Sequence, residues 1–545
     1  MKGKIIYILP FVLLVFLTRC ANMVTPTGGP KDIQPPKVTE AKPENHHTQF
    51  DGKKIEITFD EFVTLDNASQ NVLFSPPLST KPDIKLSNKT VVIKFKEELR
   101  PNTTYTINFG NAVKDLHEGN VFKDYIYSFA TGDVLDTLTM AGKVVNADNK
   151  KPAENLLVTL YVAGSDSLYD FPTQRVPDFI AKTDKEGNFK LEGLPDTTFL
   201  VFALEDMNAN LYYDMPNEKV AFLDTLVQAP CDNINLYAFT EADTTQMLLE
   251  KKLIDEGVFR FVFRRPADSV IFETPNVSLD SLPLVKVWSQ AHDTLWWYFN
   301  PKEIDTLRVN IIYDTIINES SLINLKYKEQ SNRRNNKPKR IAISYNLKNS
   351  LLLPGEDLVF KFSEPLAEIR FHDTSSLQAN DVIIYNQLAF ETMDPYGMSY
   401  RLATVLEDSA SYTLNVVDSV FYGISGHTND VVSLRFKRAK ETDLGNIQLQ
   451  VIPPEGTPLV VQLLSDRGVV LDSRAVDSVQ LVQFKQLMPN KYKLQAIIDG
   501  DGDGRWSTGN YHRRFLPETV VEYKDILEVK AGWDIELEEP WDLKK

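Results

Sequence analysis

The chain has 545 residues, too many for one hydrophobic core, which seldom serves more than about 250. Its 43% hydrophobic and 25% charged residues mark globular material and exclude a wholly disordered protein. A formal net charge of -16 argues against a nucleic-acid partner, because phosphates need a positive face.

Lys2 and Lys4 open the chain, and Ile5 to Leu17 form an apolar run of signal-peptide length. The run is too short to span a bilayer and is interrupted by Pro10. It ends at Leu17-Thr18-Arg19-Cys20, which resembles the lipobox of bacterial lipoproteins, although Arg19 stands where that pattern has a small residue. The resemblance implies cleavage before Cys20, acylation of its sulfur, and anchoring at the outer membrane of the cell envelope. Cys231 is then left without a partner, so no disulfide framework is expected. No later stretch is long and apolar enough to cross a membrane, which leaves the lipid as the expected attachment.

From Ala21 to Pro36 the Pro and Gly content gives an extended tether. Beyond it the chain reads as strands. Ile55, Ile57 and Phe59 alternate with polar residues, as do Tyr125, Tyr127 and Phe129, and turn clusters such as Glu118-Gly119-Asn120 separate the runs. Two segments recur. Thr103 to Phe129 pairs without gaps with Ala410 to Phe436, placing Tyr105 on Tyr412, Gly119 on Gly426 and Phe129 on Phe436. Phe189 to Leu223 pairs with Val482 to Leu516, placing Ala203 on Ala496, Asp206 on Asp499 and Phe222 on Phe515. Matching apolar positions imply matching strand registers. Between the copies lies a strand-rich middle segment containing Val258 to Phe263, Trp296 to Phe299 and Val309 to Tyr313. The basic stretch Arg333 to Arg340 reads as a solvated linker.

Ile55 to Val63, Leu99 to Ile107 and Tyr127 to Gly132 resemble the bacterial Ig-like domain of the SbsA type. Cys20-Ala21-Asn22, Pro26 to Asp32 and Pro35-Pro36 look like the start of Bacteroidetes lipoproteins that carry this domain. Gly142 to Val145, Thr183 to Phe189 and Leu194-Pro195 resemble transthyretin-like or carboxypeptidase-regulatory-like β-sandwiches. The expected fold class is all-β, tandem β-sandwich domains after a cleaved signal peptide. The layout that follows is a signal peptide over 1–19, a lipid-anchored tether over 20–36, and an Ig-like domain over 37–132. A transthyretin-like module over 137–239, a middle β domain over 240–328 and the linker over 329–340 come next. A second Ig-like domain over 341–440 and a second transthyretin-like module over 443–545 complete it.

Asp499, Asp501 and Asp503, with Gly504 at the sharp turn, match the first half of an EF-hand-type calcium loop. Arg505 would offer a carbonyl and Ser507 an oxygen ligand. Asn510 stands at the twelfth position, where a bidentate Glu is usual, so either the affinity is weak or Glu518 substitutes. In the first copy Asp206, Asn208, Asn210 and Asp214 keep oxygen-bearing side chains, but Leu211 replaces the turn glycine. That loop is the weaker candidate, with Asx-turn hydrogen bonding as its plainer reading. Trp296 and Trp297 offer a sugar-stacking platform, although strand alternation sends one of the two rings into the core.

The seven histidines are scattered, and none belongs to an HExxH pair. Ser425, in Gly423-Ile424-Ser425-Gly426-His427, is not in a nucleophile elbow and reads as a hairpin. No catalytic residue stands out. The expected function is therefore a non-enzymatic envelope lipoprotein, a structural or binding/adhesion scaffold, with the periplasmic face favoured over the cell surface. Its expected partners are the membrane and an envelope protein or glycan, with Ca2+ as the possible cofactor. The alternatives are a carbohydrate-binding lipoprotein of a glycan-uptake system and a hydrolase with an unrecognised carboxylate pair.

Overall fold

The computed structural model describes residues 32–123, 125–164, 170–243, 245–275, 284–302, 306–313, 316–325, 339–370, 375–385, 388–407 and 410–544. The signal peptide, Cys20 and most of the tether and basic linker lie outside the described residues. The architecture is all-β, a tandem arrangement of β-sandwiches built from many small sheets. Helical segments such as Ala68–Asn71 and Phe171–Gln174 are single turns. Among the described residues no helix is long and apolar enough to cross a membrane.

The chain divides into two compact units. One comprises the described residues of Met1–Val144, Pro152–Tyr213 and Ala221–Leu236, and the other those of Val145–Lys151, Asp214–Val220 and Tyr237–Lys545.

In the first unit, alternation in Lys54–Phe59 sends Ile55, Ile57 and Phe59 inward. Antiparallel pairing with Thr90–Lys94 sets Ile55 opposite Ile93 and Ile57 opposite Val91, all fully buried. Each such side chain contributes about 1.5–3 kcal/mol of apolar burial. The facing sheet pairs Leu73–Ser75, Thr104–Asn108 and Ile126–Ala130. Tyr105 lies opposite Phe129 with ring centroids 5.4 Å apart and stacked, and its hydroxyl accepts the Arg100 N–H at 2.9 Å. The turn that follows is closed by Asp115, whose carboxylate accepts the N–H groups of His117, Glu118, Gly119 and Asn120. Burial pushes that carboxyl up, but the four donors outweigh it and hold it at about 2. Further along, Leu157–Val162 lies between Phe179–Lys182 and Thr198–Leu204, and their near-continuous apolar runs match burial on both faces.

In the second unit the same core pattern returns. Tyr412 lies opposite Phe436 with centroids 5.2 Å apart and stacked, and its hydroxyl accepts the Glu407 N–H at 2.6 Å. Register, ring stack and hydroxyl bond are those of Tyr105 and Phe129. The middle segment forms a four-stranded sheet, Leu248–Asp255, Val258–Phe263, Thr294–Phe299 and Leu284–Trp288 in spatial order, and a three-stranded one of Ile271–Glu273, Thr306–Tyr313 and Ile316–Asn324. Phe259, Phe261, Phe263, Leu295, Trp297 and Phe299 fill its core.

At the C-terminal end, Leu459–Ser465 pairs with Val470–Val476 and Asn490–Ile498. The core they share reaches the sheet of Gln480–Leu487, Gly445–Ile452 and Asp534–Asp542. Here one sequence expectation fails. Phe222 is 3% exposed within a strand, whereas Phe515 is 62% exposed and bridges back to Asn510. The loop after Asp499 is longer than its counterpart, so the ungapped pairing slips beyond it.

Candidate metal centre

The loop at Asp499 leaves the end of Asn490–Ile498, a strand held by Leu459–Ser465 on one side and by Val520–Glu522 on the other. Asp499 is buried. Its Oδ1 accepts the N–H of Gly502 at 2.7 Å and of Asp503 at 3.2 Å, and its Oδ2 accepts that of Gly504 at 2.9 Å. Wrapping the backbone this tightly around one carboxylate requires left-handed residues, and Gly502 and Gly504 supply them at φ +74° and +78°. Asp501 turns outward, where its Oδ2 accepts the Ser507 hydroxyl at 2.7 Å.

Glu518 completes the site from the far side of the loop. Its Oε1 accepts the Gly500 N–H at 2.5 Å and its Oε2 the Ser507 N–H at 2.9 Å. Trp506 fixes this return segment by donating its ring N–H to the Glu518 carbonyl at 3.0 Å. Asp499, Asp501 and Glu518 each present a carboxylate oxygen, all within 4.8 Å of one another, a surface acidic cluster able to coordinate a metal ion. Burial pushes the Glu518 carboxyl up; the Ser507 and Gly500 N–H groups oppose that rise and the Asp501 charge adds to it. Asp501 is held below the ordinary range, first by the Ser507 hydroxyl and then by the Asp503 N–H.

Of the predicted ligands, Asp499 and Asp501 lie in this trio. Asp503 is not in the trio and accepts the Arg505 N–H at 2.7 Å. Asn510 belongs to the following turn, with its Oδ1 accepting the Arg513 N–H at 2.8 Å, so Glu518 stands where the twelfth-position ligand was sought. Past the trio the chain is tied down within its unit. Thr508 donates to the Thr240 carbonyl at 2.7 Å, the Tyr511 N–H meets the Glu241 carboxylate, and Gly509 sits against the Phe239 ring, where no Cβ fits.

In the loop at Asp206, Oδ1 accepts the Asn210 N–H at 3.1 Å and Oδ2 the Leu211 N–H at 2.9 Å. Asn208 Oδ1 also accepts the Asn210 N–H at 3.2 Å, and Asn210 Oδ1 accepts that of Tyr212 at 2.8 Å. Within the other unit, the Asp214 N–H donates to Glu218 Oε2 at 3.2 Å, as Ser507 does to Glu518. Glu218 is the residue that sequence comparison missed. It precedes Lys219–Phe222 as Glu518 precedes Val520–Glu522, a match visible only when a gap is allowed.

Trp297 is 1% exposed and packs edge-on against Phe261 in the core, so the two tryptophans do not form one platform. Trp296 and Tyr298 share the opposite face. Ser425 and Glu364 both meet Nδ1 of His427, at 2.8 and 3.1 Å. An imidazole that offers one nitrogen to both cannot relay a proton between them, so this is not a base-activated nucleophile. Gly423 is required here by space, since a Cβ would lie 2.4 Å from the Glu364 carboxyl carbon.

Residues 32–131 match the family model described as a bacterial Ig-like domain. No curated protein sequence matches the chain. Among solved structures it is similar to a variant of BcpA, the major pilin subunit of Bacillus cereus, with 10% identity over 74% of this chain and 99% of that one, at TM-score 0.13. It is also similar to the Bacillus anthracis TIE protein, with 9% identity over 95% and 76% of the two chains, at TM-score 0.14. For domains 1-6 of the surface layer protein SbsC the figures are 13%, 90% and 67%, at TM-score 0.14.

Proposed function

We propose that the chain is a non-catalytic scaffold of the bacterial cell envelope, held by a lipid on Cys20, with calcium locking its C-terminal module. The Ig-like domain is read as the SbsA type found in Bacteroidetes lipoproteins. The sandwiches hold a binding surface for an envelope protein or glycan away from the outer membrane, on its periplasmic side. The layout inferred from the repeats, two Ig-like and two transthyretin-like modules flanking a middle domain, suits a spacer of this kind.

The observation that supports calcium is the convergence of Asp499, Asp501 and Glu518 on one loop. Three mutually repelling carboxylates on hard oxygen ligands favour a divalent cation of flexible geometry. Neutralising them would stiffen a loop whose next residues, Thr508 and Tyr511, bond to Thr240 and Glu241. Calorimetric titration of the metal-stripped chain with calcium tests this reading. A saturable heat that Asp501→Ala abolishes is the expected result; no heat from the wild type would leave the loop as a plain turn and sink the calcium reading.

A further inference from the structure

The alternation that buries Leu295, Trp297 and Phe299 turns Trp296 and Tyr298 to the other face of their sheet, beside Arg260 and Val258 on the neighbouring strand. Trp296, Tyr298, Val258 and Ile254 line a cavity of about 510 Å³, closed by Lys339 and Arg340 and by Glu364 and His427 of the second Ig-like fold. All of these residues belong to one compact unit. The volume is that of a small-molecule site, for which ~300–1,000 Å³ is usual.

The lining specifies the ligand. Its charges balance, Asp255 and Glu364 against Lys339 and Arg340, and all are engaged. Lys339 pairs with Asp255, and Arg340 donates to the Thr428 hydroxyl at 2.7 Å and the Asn429 carbonyl at 3.0 Å. Glu364 accepts the Ser425 N–H at 3.0 Å and meets His427. An ionic ligand would find no free counter-charge. Among the described residues, Nε2 of His427 is buried without a hydrogen-bond partner; Glu256 Oε2 lies 3.9 Å away, beyond hydrogen-bond distance. A hydroxyl suits that nitrogen in either protonation state, donating to the bare atom or accepting from its N–H. Half-buried Trp296, with Val258 and Ile254 beside it, supplies the apolar surface on which the C–H face of a sugar ring stacks.

We propose that this cavity binds a neutral oligosaccharide, with one ring on Trp296 and one hydroxyl on His427 Nε2. The proposal is independent of the calcium loop. It is tested by titrating the full chain, followed by tryptophan fluorescence and calorimetry, with maltohexaose, cellohexaose, mannohexaose and chitohexaose, and with polygalacturonate as the anionic probe. Saturable binding of a neutral glycan is expected, weakened about tenfold or more by Trp296→Ala and several-fold by His427→Asn. Trp533→Ala, at a ring 68% exposed in the C-terminal module, should leave it unchanged. Thermal unfolding of each variant separates lost binding from lost folding. Absence of saturable binding to every neutral glycan, full affinity in a folded Trp296→Ala variant, or preference for polygalacturonate would each overturn the proposal.

Discussion

Asp206 and Asp499 head loops that take the same course through different residues. Each carboxylate gathers the backbone N–H groups four and five residues on, and each third residue caps the N–H of the fifth. Both loops pass through two left-handed positions: Ala209 and Leu211 at φ 58° and 67° in the first, Gly502 and Gly504 at 74° and 78° in the second. Neutral Asn208 and Asn210 thus make the same turn bonds as Asp501 and Asp503. What the second loop adds is charge. Asp501 and Asp503 stand in place of Asn208 and Asn210, whereas Glu518 and Glu218 are carboxylates in both. Carboxylates that are unnecessary to the turn and repel one another are what a cation site would explain.

The largest difference between the loops should appear as a calcium-dependent gain in stability. At calcium a hundredfold above Kd, binding to the folded state alone is worth about 2.7 kcal/mol. Asp499→Asn should erase this rise in the thermal midpoint, and Asp206→Asn should leave it intact, as read by scanning calorimetry with calcium and with chelator. Equal loss from both variants would break the comparison. Next in size is the pair of glutamates. Glu218 is fully buried and its carboxylate accepts the N–H groups of Asp214 and Met215, so Glu218→Ala should cost about 2 kcal/mol with or without calcium. Glu518→Ala should instead act mainly by removing the calcium response. Urea unfolding of both variants in the two buffers separates the effects.

The duplicated cores were legible because side-chain period and turn glycines survive divergence; Tyr105 with Phe129 and Tyr412 with Phe436 keep one register through changed neighbours. Trp297 was only half legible. Alternation says that one of two adjacent rings is core, but not which, and the answer depends on where Phe261 and Phe272 lie. In the acidic cluster the carboxylates at the first and third positions could be read from spacing, since they are local. Glu518 comes from beyond a hairpin of variable length, so spacing offers Asn510 first. Glu218 was hidden for the same reason. Of the His427 cavity only Trp296 left a sequence signal, because the lining comes from five separated stretches whose proximity only the packed sheets create.

The smallest effect is also the sharpest check that the two loops are one design. Gly502 and Ala209 occupy matched left-handed positions, and Gly502 has open space where a Cβ would go. An L-residue there costs roughly 1–2 kcal/mol in the folded backbone, while replacing glycine recovers about 0.4–1 kcal/mol by restricting the unfolded chain. Gly502→Ala should therefore destabilise the metal-free chain by about 1 kcal/mol, and Ala209→Gly should stabilise it by about as much. The opposite signs are the diagnostic feature, because crowding is absent at Gly502 and Ala209 is exposed. Urea unfolding of the two variants in chelator reads them directly. If both substitutions destabilise, the Asp206 loop has adapted its packing to Ala209, and the backbones match in path without matching in strain.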